Sequence, residues 1–462
     1  VRPLALGLSL SLATVVTVVT ALVGCARDAH AGPVSKGPWL QGLSTTEVTI
    51  KLELREPSQV TVTVTGPKGP ATRSSQTKQR LQALFLDGLE PSTSYGYVVR
   101  DEAGATLGEG SFTTAPSDGR AFSFLAYGDS RTDPDAHRAV VEAMRRVPSD
   151  FLVNTGDMVA LGDDEDDWRV FFQIETPLLR ERCVFAAVGN HELTNPSPEG
   201  GLPFLQYFAP IEPGGREASR LHATFRWGNS RFFLLNAMDA WTGDQKAWLT
   251  RALEEAKREP GLVHRFALMH HGPYSSGPHG DNKRLRKEGI IELLRDGGVE
   301  LVLAGHDHAY ERGEHEGLRY LVTGGAGAPL YPKKQRSKAT QVFESVHHFV
   351  KLAVDGERVT ATVHKASGGV LETCTFGPTA SFSCEGAASD GARGSKGDGA
   401  RAERGATADL SSEAGRASCA CELSAAGGGA RGGPRGAGAL ASGMAALALL
   451  ARRRRARLRS RP

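Results

Sequence analysis

Cysteine is scarce in this chain: 462 residues hold only six. A fold of this length cannot rest on so few bridges and needs a hydrophobic core. An excess of charge of one sign is also missing. The formal net charge is +3, and Arg2 with the seven arginines between Arg452 and Arg461 more than account for it; +3 less these 8 leaves −5. A basic tail is a common mark of phosphate-backbone binding, but here it stands beside an apolar stretch, and no nucleic-acid partner is implied. At 40% hydrophobic, the chain can build one large core or two domains, and length alone does not choose.

The two ends differ from the middle. The first 24 residues are apolar apart from Arg2 and run into Leu22-Val23-Gly24-Cys25. Residues 1–25 are thus expected to be a secretory signal, and its end resembles a bacterial lipoprotein box with Cys25 as the lipidated residue. Ordinary cleavage after Ala29-His30-Ala31 is the alternative. Either way the protein is expected to be exported, to the outer membrane, the cell surface or the medium. From Ala387 to Arg416 the composition is Gly, Ala, Ser and charge, which offers little to offset the entropy of ordering, so residues 386–418 read as a linker. Then come Cys419-Ala420-Cys421, a Gly-rich spacer, an apolar stretch from Ala437 to Ala451 and the arginines. That stretch is short of the roughly 20 residues of a stable span, although the arginines would hold their end in the cytoplasm. The order resembles myxobacterial-type C-terminal sorting signals, which makes residues 419–462 a cleavable address; a frayed basic tail is the plainer reading. Membrane anchoring through the Cys25 lipid, the tail or both is implied. Of the remaining cysteines, Cys183 lies in an apolar run and reads as a buried free thiol. Cys374 and Cys384 flank a turn-like FGPTAS segment in an exported chain, and a disulfide between them is expected.

Between residues 34 and 116, Gly37-Pro38-Trp39-Leu40 opens a series of alternating segments: Glu47 to Leu54, Gln59 to Val64, Gln82 to Leu86 and Ser94 to Arg100. Turn residues separate them and no helical period competes, so a small antiparallel sandwich is predicted. Leu89 to Tyr95 resembles the tyrosine corner of fibronectin type III domains, and Phe112 to Pro116 their last strand. Nothing in this unit reads as catalytic.

Residues 120–385 alternate short apolar runs with helical patterns, the signature of a sheet flanked by helices. Five runs end in glycine or histidine followed by metal-ligand residue types. Phe122 to Tyr127 leads to Gly128-Asp129-Ser130-Arg131, Phe151 to Thr155 to Gly156-Asp157, and Cys183 to Val188 to Gly189-Asn190-His191-Glu192. Phe266 to Met269 ends in His270-His271, and Leu301 to Ala304 in Gly305-His306-Asp307-His308. Open α/β sheets place their sites at such strand ends. Carboxylate oxygen with imidazole nitrogen suits Zn, Fe or Mn, while the absence of cysteine argues against a soft metal.

This order of motifs resembles the calcineurin-like metallophosphoesterases. With the preceding sandwich and the string GHDHAYER it is most similar to their purple acid phosphatase branch; the likeness covers residues 37 to about 366, including the late loop Gly324 to Leu330. The resemblance implies a metallophosphoesterase β-sandwich flanked by helices, preceded by the small all-β unit, and two metal ions. It makes Asp157 the bridge, with Asp129 and His308 at the first metal and Asn190, His270 and His306 at the second. Two departures matter. The family's metal-bound tyrosine is replaced by Ala160, and Arg131 stands where the wider superfamily often has histidine. Weaker binding at the first position, a more open choice of metal and no tyrosinate-to-iron colour are therefore expected.

The chemistry implied is hydrolysis of phosphate esters by a metal-activated hydroxide, most simply of phosphomonoesters. His191 matches the family's histidine that contacts phosphoryl oxygens or the leaving group. His279 lies on a Gly/Pro loop where a histidine can assist the leaving group; a solvated loop histidine is the alternative. Arg131 can bind phosphate or serve as a structural salt bridge. His271, His347 and His348 read as structural, and Asp163 to Asp167 as the solvated first turn of a helix. The alternatives are a phosphodiesterase or nucleotide hydrolase, or a surface protein that binds phosphate-bearing ligands without turnover.

Overall fold

Alternation in the first segment becomes two antiparallel sheets. Val34–Gln41, Val48–Ser58 and Gln79–Leu86 form one; Gly69–Ser74, Val60–Gly66, Ser94–Asp101 and Thr106–Thr113 form the other in that order. Along Val60–Gly66, Val60, Val62 and Val64 turn inward and are buried, while the threonines between them face out. The Tyr95 hydroxyl accepts the Glu90 N–H at 2.9 Å, the bond expected of a tyrosine corner. One strand went unforeseen: Gly69–Ser74 is exposed at every position, so it carries no buried period to read. Another, Thr106–Thr113, begins before the segment expected from Phe112.

The computed structural model describes residues 32–193, 202–218, 220–238, 241 and 243–386. These belong to the unit Val1–Lys396; the other unit, Gly397–Pro462, lies outside the described residues, as do the expected signal and nearly all of the linker. Among the described residues no helix is long and apolar enough to cross a membrane.

After the small sandwich come two seven-stranded sheets. The first runs Cys183–Ala186, Phe151–Asn154, Phe122–Tyr127, His348–Asp355, Arg358–Lys365, Val370–Phe376 and Ser383–Gly386. The second runs Ala223–Trp227, Ser230–Leu235, His264–Met269, Leu301–Ala304, Leu318–Thr323, Tyr310–His315 and Thr340–Glu344. Their inner faces meet through aromatics: Phe124 stacks on Phe151 at 5.1 Å and meets Phe232 edge-on at 5.2 Å. Helices cover the outer faces. Pro134–Arg145 and Glu165–Leu179 pack Val140, Met144, Trp168 and Phe172 against Leu125, Tyr127, Leu152 and Val184. Asp244–Arg258 and Ile290–Asp296 pack Leu249, Leu253, Ile291 and Leu294 against Phe233, Leu235 and Met269. Strands buried on both faces read as unbroken apolar runs, which is why the sequence marked them.

Parallel pairing aligns the ends that matter. Phe122–Tyr127, Phe151–Asn154 and Cys183–Ala186 are parallel neighbours, as are Ser230–Leu235, His264–Met269, Leu301–Ala304 and Leu318–Thr323. At the far edge, Cys374 and Cys384 face each other across Val370–Phe376 and Ser383–Gly386 and form the expected disulfide, while Cys183 is buried and free.

The acidic run is more than a solvated turn. Asp164 caps the helix by accepting the Asp166 and Asp167 N–H groups, and Asp167 accepts the Leu161 N–H at 2.9 Å. Glu165 reaches back to the sandwich and pairs with the buried Lys36, which also meets Glu53 at 2.5 Å. Trp39 seals the same junction: it is fully buried, lies 4.6 Å from Phe172 between ring centroids, and donates its Nε1–H to the Tyr207 carbonyl at 3.2 Å. Replacing Trp39 with alanine should cost about 3–5 kcal/mol, since it removes a large buried ring and leaves a cavity between sandwich and helix. Urea denaturation measures this; a loss below about 1 kcal/mol would show that the two parts do not depend on each other.

Candidate metal centre

The five parallel strand ends deliver their side chains to one place. One donor atom from each of Asp129, Asp157 and His270 lies within 4.8 Å of the others, and so do ring nitrogens of His270, His271 and His306. His270 Nε2 is 3.3 Å from Asp157 Oδ1 and 4.0 Å from Asp129 Oδ1; His308 Nε2 is 3.6 Å from Asp129 Oδ1. Asp129, Asp157, His270 and His308 are buried, whereas Asn190, His191 and His306 are partly open.

The backbone bends to achieve this. Asp129, Asp157 and His306 sit at φ of 59°, 54° and 73°, the left-handed region that side chains beyond glycine rarely adopt. Such conformations persist where the surroundings fix them. Here the Asp129 N–H donates to the Gly156 carbonyl at 2.9 Å, and the His306 N–H to both Asp129 oxygens at 3.1 and 3.0 Å. Gly324 must lack a side chain, because a Cβ there would meet the Asp307 carbonyl oxygen at 2.3 Å.

Carbonyl acceptors fix the imidazole tautomers. His270 Nδ1 lies 3.0 Å from the Thr155 carbonyl and His308 Nδ1 2.8 Å from the Pro329 carbonyl. A carbonyl only accepts, so both Nδ1 atoms carry hydrogen and both Nε2 atoms turn toward the carboxylates. Metal-binding histidines are oriented in this way. His270 Nε2 is buried with no hydrogen-bond partner, and a metal would take this nitrogen in exchange for its proton. His191 is held likewise, Nδ1 to the Ala160 carbonyl at 2.6 Å, with Nε2 3.9 Å from Asp157 Oδ2. Ala160 thus serves through its backbone carbonyl.

Burial pushes the Asp129 carboxyl up to about 7. Burial also pulls the His270 imidazole down, but the Asp157 and Asp129 carboxylates outweigh it and lift His270 to about 9. Asp157 goes the other way: burial raises it, and His270 more than reverses this, holding it well below the usual carboxylate range. His306 and His308 are lowered, chiefly by burial, His308 to about 4.

Three residues have more to do than the sequence suggested. Glu192, buried, accepts the N–H groups of Gly189, Asp157 and Met158 at 2.7, 2.9 and 2.8 Å, tying two strand ends together. Asp307, between the paired histidines, accepts from His279 Nδ1 at 2.7 Å and from the Ser275 hydroxyl. His279 also stacks on His306 with centroids 3.8 Å apart, so it is a positioned histidine with a half-exposed side chain. His271, expected to be merely structural, instead places Nε2 3.0 Å from Asn190 Oδ1 and its ring 3.8 Å from that of His306. Its neighbour His270 gave no periodicity that could separate the two roles. His347 and His348 do bind only backbone carbonyls, of Gly325 and Val346.

The donors fit a metal at His270, whose buried Nε2 is unpartnered and which stands with Asp129 and Asp157 on one side and with His271 and His306 on the other, Asn190 joining through His271. At the first position the residues Asp129, Asp157 and His308 are present, but Arg131 already engages two of their donor atoms. Its Nε lies 3.3 Å from Asp157 Oδ2 and its NH2 3.3 Å from His308 Nε2.

Residues 122–310 match the family described as Calcineurin-like phosphoesterase. An uncharacterized protein of Mycobacterium tuberculosis is 27% identical over 274 residues, covering 52% of this chain and 51% of that one. Purple acid phosphatase 23 of Arabidopsis thaliana is 27% identical over 266 residues, covering 50% and 57%. The chain spans about half the length of the curated relatives it matches. In fold it is similar to the purple acid phosphatase PPD1 of yellow lupin (Lupinus luteus), with a TM-score of 0.64 and 18% identity over 74% of both chains. It is also similar to PhoD, with a TM-score of 0.57 and 13% identity over 79% of this chain and 95% of that one.

The raised Asp129 and His270 mean that the metal-free folded site binds more protons than the unfolded chain from about pH 4 to about pH 9. Their contribution to stability is present at low pH and lost as pH rises through these values; Asp157, lowered, acts only below about pH 4. A metal replaces those protons. Added Zn should therefore raise the thermal midpoint more at about pH 8 than at about pH 5, and a shift that is equal or larger at the lower pH would contradict this assignment of protons.

Proposed function

We propose that this chain, which carries a calcineurin-like metallophosphoesterase domain within residues 122–310, is an exported hydrolase of phosphate esters, purple acid phosphatase-like and acting chiefly on phosphomonoesters. The observation that supports this most directly is the orientation of His270 and His308: each is tied through Nδ1 to a carbonyl, with Nε2 turned onto Asp129 and Asp157. A bound Zn, Fe or Mn ion supplies Lewis acidity and a hydroxide nucleophile near neutral pH.

The chain's own residues arrange the rest. Asn190, His270 and His306, with Asp157, hold the cation, and His271 steadies the Asn190 amide oxygen through its 3.0 Å contact. His191, fixed by Ala160, faces the same pocket and can donate from Nε2 to a phosphoryl oxygen in its imidazolium form. Asp307 orients His279 through Nδ1, which leaves Nε2 to pass a proton to the departing alkoxide. Arg131 uses three N–H groups on Asp157, Thr132 and His308, and the remaining two of a guanidinium's five can meet a phosphate oxygen. We further place the protein at the outer surface, through the Cys25 lipid, the C-terminal tail or both, with a fibronectin type III-like unit as spacer.

Hydrolysis of an aryl phosphate, compared with an aryl phosphodiester, tests the reading and its ester class. The monoester should turn over faster, and His191→Asn should lose about 10²–10³ of that rate while keeping its metal. A His191→Asn rate near wild type would remove the role given to His191. The second reading, a phosphate-ligand binder without turnover, draws on the engaged Arg131; it would be favoured by phosphate binding with no release from either ester.

A further inference from the structure

The first metal position already holds a cation that belongs to the chain. His308 Nδ1 bears hydrogen, because it faces the Pro329 carbonyl at 2.8 Å, so Nε2 has a single lone pair to give. That lone pair lies 3.3 Å from Arg131 NH2, while Arg131 Nε meets Asp157 Oδ2 at 3.3 Å and NH1 meets the Thr132 hydroxyl at 3.0 Å. His308 can accept a hydrogen bond from the guanidinium or bind a metal, but one lone pair does not serve both. Three partners on three nitrogens also fix the plane of the guanidinium, whose side chain is only 14% exposed.

Charge points the same way. The guanidinium already sets one positive charge against the buried Asp157 carboxylate. A second divalent ion held by the same Asp157 oxygen and His308 nitrogen would lie beside the guanidinium, and close like charges in a poorly screened site repel.

We propose that Arg131 acts as the second cation of this centre: the protein holds one metal ion, at Asp157, Asn190, His270 and His306, and the guanidinium takes the charge-neutralising and phosphate-positioning work of the other. This rests on the phosphoesterase reading of the same site. It makes Arg131 a positioning group for the phosphoryl oxygens, fixed in advance, and removes the demand for a fourth ligand that Ala160 cannot meet.

The test counts metals in the intact chain. After equilibration with Zn and removal of the free ion, elemental analysis should find about one metal per wild-type chain and about two in Arg131→Ala, where His308 Nε2 and Asp157 Oδ2 are released. Loaded with Mn, wild type should give the electron-paramagnetic spectrum of an isolated ion, and Arg131→Ala the spectrum of a coupled pair. Two metals in wild type, or one in both proteins, would overturn the proposal. If Arg131→Ala does not fold, Arg131→Gln keeps much of the shape without the charge, and the wild-type Mn spectrum decides on its own. Two bound metals with full turnover would remove this inference and leave the hydrolase standing; no metal and no turnover would remove both.

Discussion

The arrangement depends on one buried carboxylate. Glu192 gathers the N–H groups of Gly189, Asp157 and Met158, so the turn after one strand is tied to the turn after its neighbour two strand positions away from the sheet's centre. Burial drives its carboxyl up to about 7, yet three donors hold it in place. That knot helps to hold Asp157 in its left-handed backbone, and Asp157 is the residue that His270, His191 and Arg131 all address. A strained ligand loop needs such over-determination. Gly189 takes part by its smallness: a Cβ there would meet Asp157 Oδ1 at 2.2 Å.

A second constraint links the small sandwich to the centre. Lys36, buried in the sandwich, is compensated by Glu53 and by Glu165 at the start of the helix Glu165–Leu179, and that helix packs on the strands that carry Asp129 and Asp157. Tyr207 closes the same junction through its hydroxyl, 3.1 Å from Glu165 and 3.3 Å from Glu53. A buried charge left unpaired is expensive, so each side of the junction makes the other worth forming. The sandwich contributes no side chain to the metal site; it braces the helix behind it.

What the sequence disclosed follows from the physics of each element. Strands covered on both faces showed as apolar runs, and the glycines that ended them marked sharp turns, so strand-end residues that meet in one place could be picked out from the sequence. Gly69–Ser74, exposed throughout, had no period to show. Glu192, Asp307 and His271 act on atoms far away in the chain or on backbone N–H groups, contacts that no local pattern encodes. Arg131 was visible as a departure, but only geometry brought its guanidinium onto His308 and Asp157. The Cys374–Cys384 bridge was legible because its turn is short and its partners lie in facing strands.

If these strand-end side chains hydrolyse phosphate esters as proposed, they do so through a bound metal. The most direct measurement is phosphate release from an aryl phosphate by protein stripped with a chelator, before and after Zn, Mn or Fe is restored. Release should stop on stripping and return with at least one of these ions. Release that survives complete metal removal would contradict it.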